Sequence, residues 1–209
     1  MLDAGHGGTD TGAVYGKRAE KDDNLRLTLA VGERLRAHGE SVTYTRETDR
    51  TMELTERSQL CNAGSYTYFV SFHRNSASVT ATGVETYTYT TATATSLSTQ
   101  LAAKIQNALT DTPVSYADRG VKKANFHVLR ETIPPAVLIE VGFLSNPADN
   151  DVFDRQFEAI ADAIASACLA QVGKTFRPET TASSAATTMT TMPSTTITTT
   201  TTERQTSVS

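Results

Sequence analysis

The sequence predicts a three-layer α/β domain with a largely parallel or mixed sheet. Segments with helical periodicity alternate with short β-prone runs, 38% of the 209 residues are hydrophobic, and no internal repeat is visible. Alternation of helices and strands is typical of a sheet that is covered by helices. The chain is long enough to bury a core of this kind.

Two helices and two strands are predicted in the first part of the chain. Leucines at helical spacing indicate a helix over 21–38, which Gly39 ends. The segment 41–45 (SVTYT) predicts a short strand. A second helix follows over 54–62, and the aromatic and β-branched run 66–72 (YTYFVSF) predicts another strand.

The second part of the chain continues this alternation. Residues 84–90 alternate glutamate and tyrosines with threonines, which predicts an edge or half-exposed strand. Apolar residues at helical spacing predict a third helix over 97–108. The apolar run 136–141 (AVLIEV) predicts a strand covered on both faces. The stripe over 153–168 predicts one last amphipathic helix.

The composition changes near Lys174. The 30 residues from 180 to 209 include 14 threonines and 5 serines. Such a segment cannot bury enough apolar surface to offset its loss of conformational entropy. We therefore predict a domain over 1–173 and a Thr/Ser-rich disordered tail over 174–209. Only two residues precede Asp3, so we expect a truncated first strand.

The composition argues against several classes of function. No apolar run reaches 18 residues, so we expect no membrane span. A net charge of −4 without a basic face argues against a nucleic-acid partner. Cys61 and Cys168 match neither a C-x-x-C motif nor a zinc-finger spacing, and we expect them to be buried free thiols.

Two histidines lie where α/β folds build their sites. His6 lies in AGHGG, whose glycines let the backbone turn sharply near a ligand. His73 follows the strand YFVSF, and ligands in such folds bind at the carboxyl ends of strands. Each histidine on its own is better explained as a capping or hydrogen-bonded loop residue, and only its combination with carboxylates favours a site.

Two glutamates are candidates to complete a site. Glu140 lies in the apolar strand AVLIEVGF, where a carboxylate is costly to bury unless it is paired or bound to a cation. The alternative is that it faces solvent or pairs with Arg130 or Lys122. Glu20 opens the first helix, where it could also be a solvated residue that interacts with the helix dipole.

These four residues have the side chains of a zinc hydrolase. Two imidazoles and one carboxylate can form a zinc site with an open fourth position, and a second carboxylate can act as a general base. The positions 6, 20, 73 and 140 match no local metalloprotease signature such as H-E-x-x-H. Spacing alone therefore leaves the metal site as a hypothesis.

Seven sequence blocks in order resemble those of a known family. They extend from Leu2 to about Phe153 and read LDAGHGGTDTGAVYG, AEKDDNL, TRETDRTMELTER, VSFHRNSA, GVETY, RGVKKANFHVLRET and PPAVLIEVGFLSNPAD. This pattern resembles the zinc-dependent N-acetylmuramoyl-L-alanine amidases, the cell-wall family called amidase type 3. The match is far more specific than a single short motif.

The resemblance implies a role for each candidate. His6, Glu20 and His73 would bind one zinc ion, and Glu140 would be the catalytic general base. It also implies a sheet of about six strands flanked by helices. The implied reaction is hydrolysis of the amide bond between N-acetylmuramic acid and L-alanine in peptidoglycan. A zinc exopeptidase and a non-catalytic wall-binding module remain as alternatives.

The implied substrate lies outside the membrane. We therefore expect the protein to act at the cell wall or outside the cell, as a bacterial autolysin or a phage endolysin, although the chain shows no signal peptide. We expect a monomer. Arg46, Asp49 and Arg57 are expected to fix a loop and a helix through hydrogen bonds. His127 is expected in a β-like run and not as a fourth metal ligand.

Overall fold

The computed structural model describes residues 1–111, 113–114 and 116–178, and it shows helices on both faces of a five-stranded sheet. The helices are α1 (Glu20–Ala37), α2 (Leu54–Asn62), α3 (Leu97–Thr110), α4 (His127–Arg130), α5 (Pro147–Arg155) and α6 (Phe157–Gln171). The strands are β1 (Leu2–Ala4), β2 (Val14–Tyr15), β3 (Arg18–Ala19), β4 (Phe69–Asn75), β5 (Val84–Tyr89), β6 (Asp118–Ala124) and β7 (Ala136–Phe143). The predicted fold class is confirmed. From residue 179 onward, the predicted tail lies outside the described residues.

The sheet is mixed, with the strand order β1-β4-β7-β5-β6. Strands β1, β4 and β7 are parallel neighbours, β5 is antiparallel to β7, and β6 is parallel to β5. Strands β2 and β3 form a separate hairpin before α1. Because the carboxyl ends of β1, β4 and β7 meet at one edge, the side chains that follow them are brought together.

The central strand β7 is buried on both faces, as predicted. Val137 and Ile139 belong to the larger core, which is formed with α1, α3 and α6. Leu138 points the other way, into a smaller core formed with α2 and α4. Side chains alternate between the faces of a strand. Glu140 therefore lies on the face of the sheet that α2 and α4 cover.

The prediction of a strand over 41–45 is wrong. This segment forms a single parallel bridge, between Tyr44 and Leu2. Its two backbone hydrogen bonds join the N–H of Leu2 to the carbonyl of Thr43 and the N–H of Thr45 to the carbonyl of Leu2. All three residues of β1 pair with β4, but on this side only Leu2 has a partner. The sheet consequently has five strands instead of about six.

The prediction of an edge or half-exposed position for β5 is wrong, because this strand is internal and mostly buried. It lies between β7 and β6, and β6 is the half-exposed edge. The sequence of β6, DRGVKKA, carries no hydrophobic alternation, so its pattern predicts no strand. Lysines are typical of edge strands because they discourage pairing with another chain.

The predicted last helix is two helices. Gln156, with φ −113° and ψ 19°, separates α5 from α6, and the side chain of Asn146 caps the start of α5. Phe153 and Phe157 are both buried on the two sides of the break, with ring centroids 5.6 Å apart. The apolar stripe therefore continues across the break, which explains why periodicity predicts a single helix.

The chain after α6 packs against the end of α1. The ring of Phe176 stacks on His38 with centroids 4.8 Å apart, and the backbone N–H of Arg177 donates to His38 Nε2 at 2.9 Å. Residues Met1–Pro178 form one compact unit. Cys61 and Cys168 are buried free thiols, as predicted. None of the described helices is long and apolar enough to cross a membrane.

Candidate active site

His6 lies in the glycine-rich loop that follows β1. Its backbone has φ 61°, in the left-handed region that side chains other than glycine rarely adopt. A Cβ atom on Gly5 would lie 2.3 Å from the His73 ring, and one on Gly12 would lie 2.6 Å from Glu20. The loop therefore needs glycine at these two positions so that His6, Glu20 and His73 can approach each other.

Glu20 is the first residue of α1 and is 5% exposed. The start of a helix favours a negative charge there. Its Oε1 atom lies 2.9 Å from His73 Nδ1 and 3.2 Å from His6 Nε2. The backbone N–H of Ala13 donates to Oε2 at 2.8 Å, and that of Arg74 donates to Oε1 at 3.2 Å. The carboxylate is thus fixed between the two imidazoles.

The three predicted ligands form a group that could hold a metal ion. The ligand atoms of His6, Glu20 and His73 all lie within 4.8 Å of one another. Burial raises the pKa of the Glu20 carboxyl, but hydrogen bonds and charge from both histidines lower that pKa well below its ordinary value. Burial lowers the pKa of His6, but Glu20 and Asp10 raise it to about 9. The carboxylates of Glu20 and Asp10 therefore favour a positive charge at the point where the two imidazole nitrogens converge.

Asp10 orients the first of these histidines, and the sequence analysis did not find it. Its Oδ2 atom accepts a hydrogen bond from His6 Nδ1 at 2.8 Å, and its Oδ1 accepts one from the Gly12 backbone N–H at 3.1 Å. This leaves His6 Nε2 directed at Glu20. A carboxylate commonly holds the second nitrogen of a metal-binding histidine in this way. The sequence did contain one indication of this role, since Asp10 follows the candidate ligand His6 by four residues.

Glu140 lies beside this group and not in it. In the sheet it is paired with His73 of β4 and with Glu85 of β5. Among the described residues its Oε2 atom is buried without a hydrogen-bond partner. Burial raises the pKa of Glu140 to about 7. This is a carboxylate that can take up or release a proton near neutral pH.

The alternatives considered for Glu140 do not hold. Lys122 pairs with Glu85, and Arg130 pairs with Glu131. Glu140 is half-buried, its Oε2 atom is buried, and it lines the wall of a cleft of about 420 Å³ together with His6 and His73.

The rest of the cleft wall combines polar residues with a group of apolar ones. It includes Met52, Leu54, Phe126, Val128 and Leu138. His127 also lines the cleft. The sequence analysis expected it in a β-like run, but it is the first residue of α4. The Nε2 atom of His127 lies 3.4 Å from Ser58 Oγ, and within the described part of the chain the group that could hold a metal does not include this histidine.

Two buried arginines hold the loop that carries His6. Arg57 forms an ion pair with Asp3 at 2.7 Å and donates to the carbonyls of Ala4 and His6 at 2.7 and 2.8 Å. Arg46 donates to the carbonyls of Ala4 and Gly5 at 2.9 and 3.0 Å. The structural role that the sequence analysis expected of both arginines agrees with these contacts.

Asp49 supports the same loop from the other side. It accepts hydrogen bonds from the Gly8 backbone N–H at 2.7 Å and from Lys21 Nζ at 2.6 Å. Charged side chains thus form hydrogen bonds with the carbonyls of residues 4–6 and with the N–H of Gly8. The position of His6 is set by this scaffold.

Comparison with known proteins gives consistent matches. A family model described as N-acetylmuramoyl-L-alanine amidase matches residues 1–199. The N-acetylmuramoyl-L-alanine amidase CwlM of Bacillus licheniformis is 35% identical over 185 residues, which is 88% of this chain and 70% of that protein. The endolysin of Bacillus phage SPP1 is 35% identical over 176 residues, covering 78% of this chain and 65% of that protein. The crystal structure of an N-acetylmuramoyl-L-alanine amidase from Clostridium difficile 630 has a TM-score of 0.77 at 33% identity, covering 82% of this chain and 95% of that one.

Proposed function

Since this chain belongs to the N-acetylmuramoyl-L-alanine amidase family and is a hydrolase of peptidoglycan, we propose that it works with one zinc ion held by His6, Glu20 and His73 and with Glu140 as general base. The bond cleaved is the amide between N-acetylmuramic acid and the L-alanine of the stem peptide. The observation that carries this proposal is the convergence of the three candidate ligands beside a buried carboxylate oxygen without a partner.

The donor set fits zinc. Two imidazole nitrogens and one carboxylate oxygen are a frequent ligand set of catalytic zinc sites, which keep a further position open. Both His6 and His73 already turn a ring nitrogen toward Glu20. Bound zinc supplies Lewis acidity, which lowers the pKa of water and polarises a carbonyl group.

Glu140 is the residue that moves protons in this scheme. Its unpartnered Oε2 atom accepts the proton of the attacking water, and the same carboxyl then donates it to the amine of L-alanine as that amine leaves. Burial raises the pKa of Glu140 above its ordinary value, which makes this carboxylate a better proton acceptor. Asp10 holds His6 in its orientation, and apolar side chains such as Leu138 line the cleft beside Glu140.

The products of peptidoglycan digestion test this function. Digestion by the purified protein should release stem peptides with a free N-terminal L-alanine and leave an intact lactyl group on muramic acid, as seen by mass spectrometry. A chelator should stop the reaction, and added zinc should restore it. Cleavage between two amino acids of the stem would instead identify a peptidase. Full activity after verified removal of metal would contradict the proposal.

Zinc affinity should fall as the pH is lowered. Both imidazoles must be neutral to bind a metal, so protons compete with zinc for His6 and His73. The charge of Glu20, which raises the pKa of His6, strengthens this competition. Titration against a chromophoric chelator should show weaker binding at pH 6 than at pH 8, with protons released on binding. An affinity that does not change over this range would contradict this ligand set.

We propose that the chain up to Pro178 is the catalytic unit and that the Thr/Ser-rich segment is dispensable for the chemistry. All four candidate residues precede Phe143. A chain ending at Pro178 should cleave a soluble muramoyl peptide at the full-length rate. A chain ending at Gly173 is the matched control, because it also loses the contacts of Phe176 and Arg177 with His38 and should unfold at a lower temperature. A large loss of kcat in the chain that ends at Pro178 would show that the catalytic unit extends beyond this residue.

The site of action follows from the substrate. Peptidoglycan lies outside the cytoplasmic membrane, and the relatives include a bacterial amidase and a phage endolysin. We therefore place the action of this protein at the cell wall or outside the cell.

A further inference from the structure

A row of polar side chains extends from the candidate metal site to the edge of the sheet. The register places His73 of β4 opposite Glu140 of β7, and Glu140 opposite Glu85 of β5. On the far side of β5, Tyr87 is paired with Lys122 of β6. Paired residues share a face of the sheet. The row therefore lies on the same face as the cleft.

Glu85 is the centre of this row, and the sequence analysis assigned it no role in a site. It is 3% exposed and accepts four hydrogen bonds. Asn75 Nδ2 and the Tyr87 hydroxyl donate to Oε1 at 2.6 and 2.8 Å. Arg119 Nε donates to Oε2 at 2.8 Å, and Lys122 Nζ donates to the same atom. Burial raises the pKa of Glu85, but the hydrogen bonds from Lys122, Arg119 and Tyr87 lower it to about 2.

Arg119 and Lys122 thus share the Glu85 carboxylate, which stays ionised, so these three side chains together carry one net positive charge. The side chains of Arg119 and Lys122 are 37% and 38% exposed, so both reach solvent. Glu85 takes only one N–H group from each of them. Within the described residues, Arg119 Nη2 and the remaining ammonium protons of Lys122 have no acceptor. The pair is neutralised only in part and can still bind an anion.

This basic pair lies close to the reaction site. Phe126 lines the cleft and packs on Tyr87 with ring centroids 5.2 Å apart, and Tyr87 in turn donates to Glu85. Neighbouring strands are about 4.8 Å apart, so β6 lies about 10 Å from β7. An extended peptide advances about 3.4 Å per residue. A group on the second stem residue, D-glutamate, is therefore within reach of the pair when the muramoyl amide lies at Glu140.

We propose that Arg119 and Lys122 form a subsite for the free α-carboxylate of the second stem residue, an inference that rests on the amidase function proposed above. The pair binds that carboxylate through charge-assisted hydrogen bonds, while Glu85 fixes both cations in position. Stem peptides in which this group is an α-carboxamide lose the charge. The subsite therefore distinguishes unamidated from amidated peptidoglycan.

The test compares two synthetic muramoyl peptides that differ only in this group, one with D-glutamate and one with D-isoglutamine at the second position. Charge-assisted hydrogen bonds of this kind correspond to roughly tenfold or more in binding. The full-length protein should cleave the carboxylate peptide with about tenfold lower KM and a similar kcat. Lys122→Met should lose most of this preference, and so should Arg119→Met. Lys122→Arg should keep it.

Lys123→Met is the matched control. It removes the same charge from the next residue of β6, which is exposed and lies on the opposite face of the strand. This variant should retain the preference. A wild-type protein that cleaves both peptides with equal KM overturns the subsite, and so does a Lys122→Met protein that weakens both peptides equally. Cleavage of neither peptide overturns the proposed function itself, together with the subsite.

Discussion

Glu140→Gln should retain zinc and the native fold while kcat falls by about 10²- to 10⁴-fold, the usual contribution of general acid–base catalysis. Glutamine keeps the size of the side chain but has no basic oxygen. In the wild-type protein the buried Oε2 atom has no hydrogen-bond partner among the described residues, so the substitution breaks no bond to that atom. Turnover of a soluble muramoyl peptide, zinc content and circular dichroism on the same preparation measure the three properties.

His73→Ala is the contrasting variant. It removes one of three candidate ligands, so zinc content should fall together with activity. If Glu140→Gln remains fully active, or loses its zinc as His73→Ala does, Glu140 is not the base. Because the two residues are paired on adjacent strands, the comparison separates their roles at nearly the same place in the fold.

The residues that sequence analysis identified are those whose local pattern is unusual. Glu140 stands out because a carboxylate interrupts an apolar strand, and His6 because glycines surround it. Their convergence could not be derived from spacing, since it depends on β1, β4 and β7 being parallel neighbours. The family resemblance, and not residue spacing, indicated that these residues belong to one site.

The residues that were missed act through contacts between distant segments. Asp10 and Glu85 have ordinary local surroundings in the sequence. Their importance comes from His6 in one case, and from Arg119 and Lys122 on a neighbouring strand in the other. The strand order has the same origin, because β6 is held at the edge by pairing with β5 and not by its own hydrophobic pattern.

Arg57→Met should lower the free energy of unfolding by about 3–5 kcal/mol, the range expected when one partner of a buried ion pair is removed. Asp3 is 1% exposed and Arg57 is 2% exposed, so the variant leaves a buried carboxylate without its cation. It also removes the donor to the carbonyls of Ala4 and His6. The matched control is Arg155→Met, because Arg155 forms an exposed ion pair with Asp151 and its loss should barely change the Tm.

The pH dependence of this effect identifies its cause. Burial raises the pKa of Asp3, but Arg57 and the hydroxyls of Ser71 and Thr45 lower it below its ordinary value. A carboxyl with a lowered pKa stabilises the fold above its unfolded pKa, and that contribution disappears as the pH falls through the folded pKa. In Arg57→Met the unpaired Asp3 becomes protonated more readily, so the destabilisation should be largest at neutral pH and should shrink on acidification. A loss of stability that is the same at pH 7 and pH 4 would mean that the lost hydrogen bonds, and not the ion pair, hold the loop that carries His6.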